Sequence, residues 1–330
     1  MILVVGGGGY IGSHMCKLLR EAGEKHLVFD NLENGHKEAL QGSPFVQGDL
    51  RNPADLAQVF AKNEIDVVMH FAAYISVGES VREPGKYYDN NFSGVLNLLE
   101  AMRRSGVDKF IFSSTAAIFG EPAYVPIDEE HPKNPKSAYG DSKYGVERAL
   151  DSYEIAHGLR SVCLRYFNAA GADPDGVLGE DHDPETHLIP LAIDAALSRR
   201  PPLQLFGTDY PTPDGTCLRD YVHVDDLSRA HIAVFDRLAK PGTRLFYNLG
   251  TGRPSSNREV IRAVEKISGK KVPLVEAPRR AGDPPVLYAD SSLAQRELNW
   301  QARYGDIESI VATAWKWHST HPNGYADRNR

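Results

Sequence analysis

Tyr139 and Lys143 stand four residues apart, a spacing that puts both on one face of a helix. A phenol titrates near pH 10 and is a poor base at neutral pH, but an adjacent ammonium favours its phenolate. Tyr139 is thus a candidate general base. Thr115, upstream and just past an apolar run, can bond the same substrate oxygen and pass a proton along. A Tyr-x-x-x-Lys spacing also describes an ordinary amphipathic surface pair, so its weight comes from a second motif, Gly6-Gly7-Gly8-Gly9-Tyr10-Ile11-Gly12.

Ile2-Leu3-Val4-Val5 reads as a strand buried on both faces, and Ile11 to Ala22 follows with helical character. Between them, Gly6, Gly9 and Gly12 predict a tight turn, a close backbone approach to a pyrophosphate and a helix seated against the strand. Tyr10 and Ile11 lie in that turn. Gly8 is read as surplus flexibility. Leu27-Val28-Phe29 predicts a second strand ending in Asp30, whose carboxylate suits both ribose hydroxyls. NAD is expected over NADP, because a 2′-phosphate would meet Asp30 as a like charge and no arginine follows it in Asn31-Leu32-Glu33-Asn34. With a cationic oxidised nicotinamide nearby, the Tyr139 phenolate gains a second counter-charge.

These residues need a scaffold. Phe45-Val46, Val67 to Phe71, Phe110 to Phe112 and Val162 to Leu164 alternate with helical stretches, the pattern of a doubly wound parallel α/β sheet. Ligands sit at the carboxyl ends of such strands, which directs attention to Asp49-Leu50, Phe71-Ala72-Ala73, Ser113-Ser114-Thr115 and Tyr166-Phe167-Asn168. Past residue 169, Pro- and Gly-rich segments predict a smaller α/β lobe that binds substrate. Residues 1–168 are expected to form the dinucleotide-binding domain, with 217–240 returning to it, and 169–330 the second domain.

At 330 residues the chain can fill two cores. A formal charge of −7 argues against a nucleic-acid surface, and no apolar run approaches a membrane span. The reading is a soluble cytoplasmic protein without a leader. Cys16, Cys163 and Cys217 lack metal or CxxC spacing and are expected as reduced thiols, with no metal bound.

Further motifs extend end to end: Val77-Gly78-Glu79-Ser80, Tyr87-Tyr88-Asp89-Asn90-Asn91, Leu164-Arg165-Tyr166-Phe167-Asn168, Asp214-Gly215-Thr216, Arg219-Asp220-Tyr221 and Arg280-Ala281-Gly282-Asp283. With them the chain resembles the extended short-chain dehydrogenase/reductases and, among these, the UDP-glucose 4-epimerase family. The resemblance implies NAD reduced and reoxidised within one turnover, and 4-epimerisation of a UDP-hexose in galactose metabolism through a transient 4-keto sugar. It implies cofactor contacts from Tyr10, Ile11, Asp30, Asn31, Asn34, Asp49, Leu50, Phe71, Ala72, Ala73, Asn90, Lys143 and Phe167. Nucleotide-sugar contacts are implied for Asn168, Leu188, Leu205, Phe206, Arg219, Arg280 and Asp283, with Thr115 and Tyr139 at the sugar. The paired arginines suit a diphosphate on physical grounds as well. Arg219 could instead pair with Asp220 or Asp225, Arg280 could join a solvated cluster with Arg279, and Asp49 could cap a helix. His187 is either a substrate contact or a polar wall residue.

Three positions depart from the family pattern. Ile75 stands where many relatives carry a phosphate-reaching lysine, and Thr115 replaces the commoner serine. Leu287 stands where some relatives carry a tyrosine that excludes N-acetylated sugars, so UDP-N-acetylglucosamine or UDP-xylose are alternative substrates. A 4,6-dehydratase would need Asp-Glu directly after the threonine, and Ala116-Ala117 follow here; a non-catalytic NAD sensor would be expected to have lost the tyrosine, the lysine or the arginines. The family's usual homodimer would use helices near 91–104 and 142–157, with Val95, Leu96, Leu98 and Leu99 left open to that face or to the core.

Overall fold

The computed structural model describes residues 1–280 and 282–327. Two compact units divide the chain: Met1–Gly120, Pro132–Arg165 and Ser228–Tyr247 form the first, and Glu121–His131, Tyr166–Leu227 and Asn248–Arg330 the second. The backbone passes back and forth between them several times.

The strands in chain order are β1 Ile2–Val5, β2 His26–Asp30, β3 Phe45–Gln47, β4 Val67–His70, β5 Lys109–Thr115, β6 Arg160–Tyr166, β7 Asn168–Ala170, β8 Leu203–Phe206, β9 Leu218–Arg219, β10 Tyr221–His223, β11 Arg244–Leu249, β12 Ser255–Ser256, β13 Leu274–Ala277 and β14 Val286–Leu287. A seven-stranded sheet runs β11-β6-β5-β4-β1-β2-β3, with β3, β2, β1, β4 and β5 paired in parallel. The order reverses beside β1, the switch point at which such sheets bind ligands. The fold is the doubly wound α/β type that the alternating apolar runs predict. β1, β2 and β4 are buried throughout, as strands covered on both faces must be.

Helix boundaries follow local chemistry. Asn52 caps the helix Pro53–Lys62 by accepting from the Ala54 N–H, with proline at the first turn. Asp49 is not that cap. Ser137 caps the helix Ala138–His157, which ends at Gly158 in the left-handed region, φ 70°. Leu3, Phe29, Leu98, Phe110, Phe112 and Val146 are among the residues of the first unit's core. Val95, Leu98 and Leu99 are fully buried there, which places these three in the core, and Leu96 is partly buried against it.

In the second unit, the helices Leu188–Ala196, Asn257–Ser268 and Ile307–Thr320 bury Ile193, Val264 and Val311 in a core of their own. A capping box of Ser256 and Glu259 starts the middle helix. Three small sheets flank this core: β10-β7, β12-β9-β14 and β13-β8.

Candidate active site

Each glycine of the N-terminal turn answers to a different constraint. Gly6 has φ 83°, and a Cβ there would sit 2.4 Å from the Ala72 nitrogen, so β1 turns directly against Phe71-Ala72. At Gly12 a Cβ would lie 2.2 Å from the Gly6 carbonyl oxygen, which presses the helix Tyr10–Glu21 onto the turn. Gly9 differs. A Cβ there would meet only the Gly6 oxygen, at an ordinary 3.5 Å. It is the helix cap yet brings no side-chain acceptor, leaving the N–H groups of the Tyr10 turn to an anion. The Gly8 N–H donates to Asp30 Oδ2 at 2.9 Å and its carbonyl accepts from His36, so Gly8 is a working part of the turn and not surplus flexibility.

Asp30 also accepts from the Leu32 N–H, at 2.8 Å through Oδ1. Burial pushes its carboxyl pKa up, and these two N–H bonds oppose the shift. Two acceptor positions remain open on a carboxylate bound this way, the number a ribose diol requires. Nearby, Asn31 donates to Asp49 Oδ2 at 3.0 Å, and Arg51 binds Asp49 through Nε and Nη2. Arg51 holds the Asp49 carboxyl well below the usual range. Leu50 is buried, Asn34 lies exposed in the segment after Asp30, and Phe71 packs against His231 with ring centroids 4.7 Å apart and planes tilted by 36°. Asn90 is buried and donates to Asn91, which in turn fixes both backbone polar groups of Tyr74, just past Ala73. Ile75 is 39% exposed.

The proton-handling residues share one helix face. Gly140 allows it: a Cβ there would lie 2.5 Å from the Ala117 carbonyl oxygen, so the helix start rests on the turn after β5 and puts the Tyr139 phenol on the Thr115 hydroxyl. Lys143, one turn on, is 3% exposed, donates to the Ser113 carbonyl at 2.9 Å and lies over the Phe112 ring. A further turn on, Glu147 accepts from Ser114 Oγ at 2.6 Å and binds Arg165 through two contacts of 3.0 and 2.8 Å. Three successive residues of β5 are thus laced to three successive turns of the helix. Burial raises the Tyr139 pKa, with the Thr115 hydrogen bond pulling it back, and burial alone lowers Lys143 to about 7. No role is read from sequence for Gly140, Ser114, Glu147 or Arg165; Gly140, Ser114 and Arg165 lie inside stretches the sequence singles out, and Glu147 lies in none.

In the second unit, the Phe167 N–H donates to the Leu249 carbonyl and the Asn168 N–H to the Asp220 carbonyl. Asp220 itself accepts from Thr251, Gly252 and Ala289 and so ties the segment after β11 to the one after β14. Arg219 turns instead to the Pro284 carbonyl at 2.8 Å and to Asp283 at 3.7 Å. Leu287 is its register partner across β9 and β14. Arg280 lies over the Phe206 ring at 4.3 Å, next to buried Leu205, while Arg279 binds Asp209 and covers Tyr210. The two arginines therefore part and form no common cluster. Ala281, between Arg280 and Gly282, lies outside the described residues. Leu188 opens its helix, and His187, before it, turns Nδ1 to Glu180 at 2.8 Å and Glu185 at 3.0 Å.

A model of the NAD dependent epimerase/dehydratase family matches residues 2–250. The chain belongs to this family. Among its members, the UDP-glucose 4-epimerase of Lacticaseibacillus casei is 48% identical over 329 residues, covering 99% of both chains. The crystal structure of UDP-glucose 4-epimerase from Brucella ovis in complex with NAD is 49% identical, with a TM-score of 0.92 over 95% of this chain and 97% of that one. The enzyme from Bifidobacterium longum, solved with NAD+ and UDP, is 41% identical with a TM-score of 0.93, covering 98% and 99%. Within the family, the resemblance drawn from motifs therefore holds along the whole chain.

Proposed function

We infer that the chain catalyses NAD-dependent 4-epimerisation of a UDP-hexose, interconverting UDP-glucose and UDP-galactose. The observation that carries this reading is the lacing of Thr115, Tyr139 and Lys143 in the same unit as the glycine turn and Asp30. The relatives that hold NAD and UDP support it. Bound NAD would supply reversible hydride chemistry at the sugar carbon. Asp30, with Asn31 and Asp49 behind it, would take the ribose hydroxyls, and the Gly9-Tyr10-Ile11 turn the pyrophosphate.

Tyr139 would accept the proton of the sugar 4-hydroxyl and give it back, while the Thr115 hydroxyl holds the same oxygen in line. Lys143 would supply positive charge that favours the phenolate. Arg219 and Arg280 would neutralise the diphosphate, Asp283 accept from a hydroxyl, and Asn168, Leu188, Leu205, Phe206 and Leu287 shape the remaining pocket. The first unit, with Ser228–Tyr247 as its returning segment, is assigned NAD, and the second the nucleotide sugar.

A homodimer is proposed on the exposed apolar side chains of Val77, Val81 and Tyr88, and a cytoplasmic site on three buried free cysteines. Purified protein given UDP-galactose without added NAD should form UDP-glucose. A 4-keto-6-deoxy product would mark a dehydratase, and no product would overturn the reading. A second substrate, UDP-N-acetylglucosamine, is favoured by leucine at position 287, and its turnover beside UDP-glucose tests that directly.

A further inference from the structure

We propose that Glu180, His182, Glu185 and His187 form a zinc site in the segment that leads into the helix Leu188–Ala196. One ligand atom from each of the four lies within 4.8 Å of all the others. His182 Nδ1 is 3.2 Å from Glu180 and 3.5 Å from Glu185, and His187 Nδ1 is 2.8 and 3.0 Å from the same two carboxylates. Zinc–nitrogen and zinc–oxygen bonds of about 2.0–2.1 Å make the edge of a tetrahedron about 3.3 Å long. With Glu180 Oε1 and Glu185 Oε1 as the carboxylate ligand atoms, three of the six edges measure 3.2, 2.8 and 3.0 Å, within about half an ångström of that length.

The donor chemistry agrees with the geometry. Two imidazoles and two carboxylates form a borderline nitrogen–oxygen set that suits zinc, and with both histidines neutral they cancel its charge. All four protein positions are filled, which marks a structural site and not a catalytic one. The scaffold is fixed on both sides. Before the cluster, the Gly179 N–H donates to the Tyr325 hydroxyl and Asp181 accepts from the Tyr325 N–H. Within it, Glu185 Oε1 accepts from the N–H groups of Thr186 and His187, which orients the carboxylate. The helix that follows buries Ile189, Ile193 and Ala196 in the second core, so a metal here would pin an eight-residue loop to a rigid element.

The test uses untagged full-length protein. Elemental analysis of protein from zinc-supplemented cells should find close to one zinc per chain. After removal with a chelator, added zinc should restore that content and raise the melting temperature, as ligand linkage requires. His182→Asn should weaken zinc binding at least about tenfold. X-ray absorption of the zinc form should show a shell of nitrogen and oxygen at about 2.0–2.1 Å; it serves even if the variant fails to fold. No zinc uptake by the chelated protein, unchanged affinity in His182→Asn, or a sulfur-containing shell would overturn the proposal.

Discussion

Tyr139 owes its interest to one oxygen, and Tyr139→Phe removes that oxygen while keeping the ring. Turnover should fall by at least about a hundredfold, the scale of one positioned acid–base group, with nucleotide affinity nearly unchanged. Steady-state kinetics beside equilibrium NAD binding checks this, and retained turnover would remove Tyr139 from the mechanism. Lys143 yields a prediction in pH. Its folded pKa of about 7 lies below the ordinary 10.5, so between these values the unfolded chain holds the extra proton and folding stability rises with pH. Tyr139, shifted upward, reverses the trend only above pH 10. The charged or titratable neighbours are His70, held neutral by burial and by the lysine's own charge, and the Glu147–Arg165 pair. Denaturant unfolding of nucleotide-stripped protein should show increasing stability from pH 7 to 10, and Lys143→Met should flatten it. Equal slopes in both proteins would refute this account. Asp30 shows how a sequence reading can be incomplete: its position at the end of β2 points to ribose, but its grip on Gly8 appears only in three dimensions.

Helix and turn geometry supply the next tests. Gly9 and Gly12 look alike in sequence, but only Gly12 is sterically required by the chain itself. Gly9→Ala should therefore leave the unfolding midpoint nearly unchanged and weaken NAD, because an added methyl meets the ligand and not the protein. Gly12→Ala should lower the midpoint itself. Equal destabilisation by both would refute the distinction. Glu147 and Arg165 are each 3% exposed, and breaking such a pair strands a buried charge at a cost of about 3–5 kcal/mol. Glu147→Gln should accordingly lower stability on that scale and slow turnover more than it raises KM, since the variant loosens the helix that carries Tyr139; an unchanged midpoint in urea would contradict it. Periodicity and turn chemistry made the sheet strands, the glycine turn and the Tyr-Lys pair legible, because those signals are local. The Glu147–Arg165 pair joins two elements, and Arg219 meets Asp283 across 63 intervening positions, so neither has a short-range signature. The sequence reading expects no metal and passes over Glu180, His182 and Glu185, whose donors meet that of His187 only in the folded loop.

At the scale of the molecule, the first unit is not a contiguous piece of chain. β11 flanks β6 at the end of the seven-stranded sheet, and Arg244 pairs with Asp151. Arg160 likewise donates to the Leu238 carbonyl at 2.9 Å. A fragment ending at Arg165 would leave β6 as a bare edge, open to pairing with other chains. It should aggregate on expression, and joining Ser228–Tyr247 to it through a flexible linker should recover soluble, NAD-binding protein. A soluble monomeric fragment 1–165 would refute the dependence.

The same threading sets a timetable during synthesis. Six parallel-sheet strands leave the ribosome before the seventh, which follows about eighty residues later, or roughly 4–16 s at usual elongation rates. Through that interval the nascent chain carries an unfinished sheet edge, and the moment of greatest exposure to chaperones falls in mid-translation, before residue 247 has emerged.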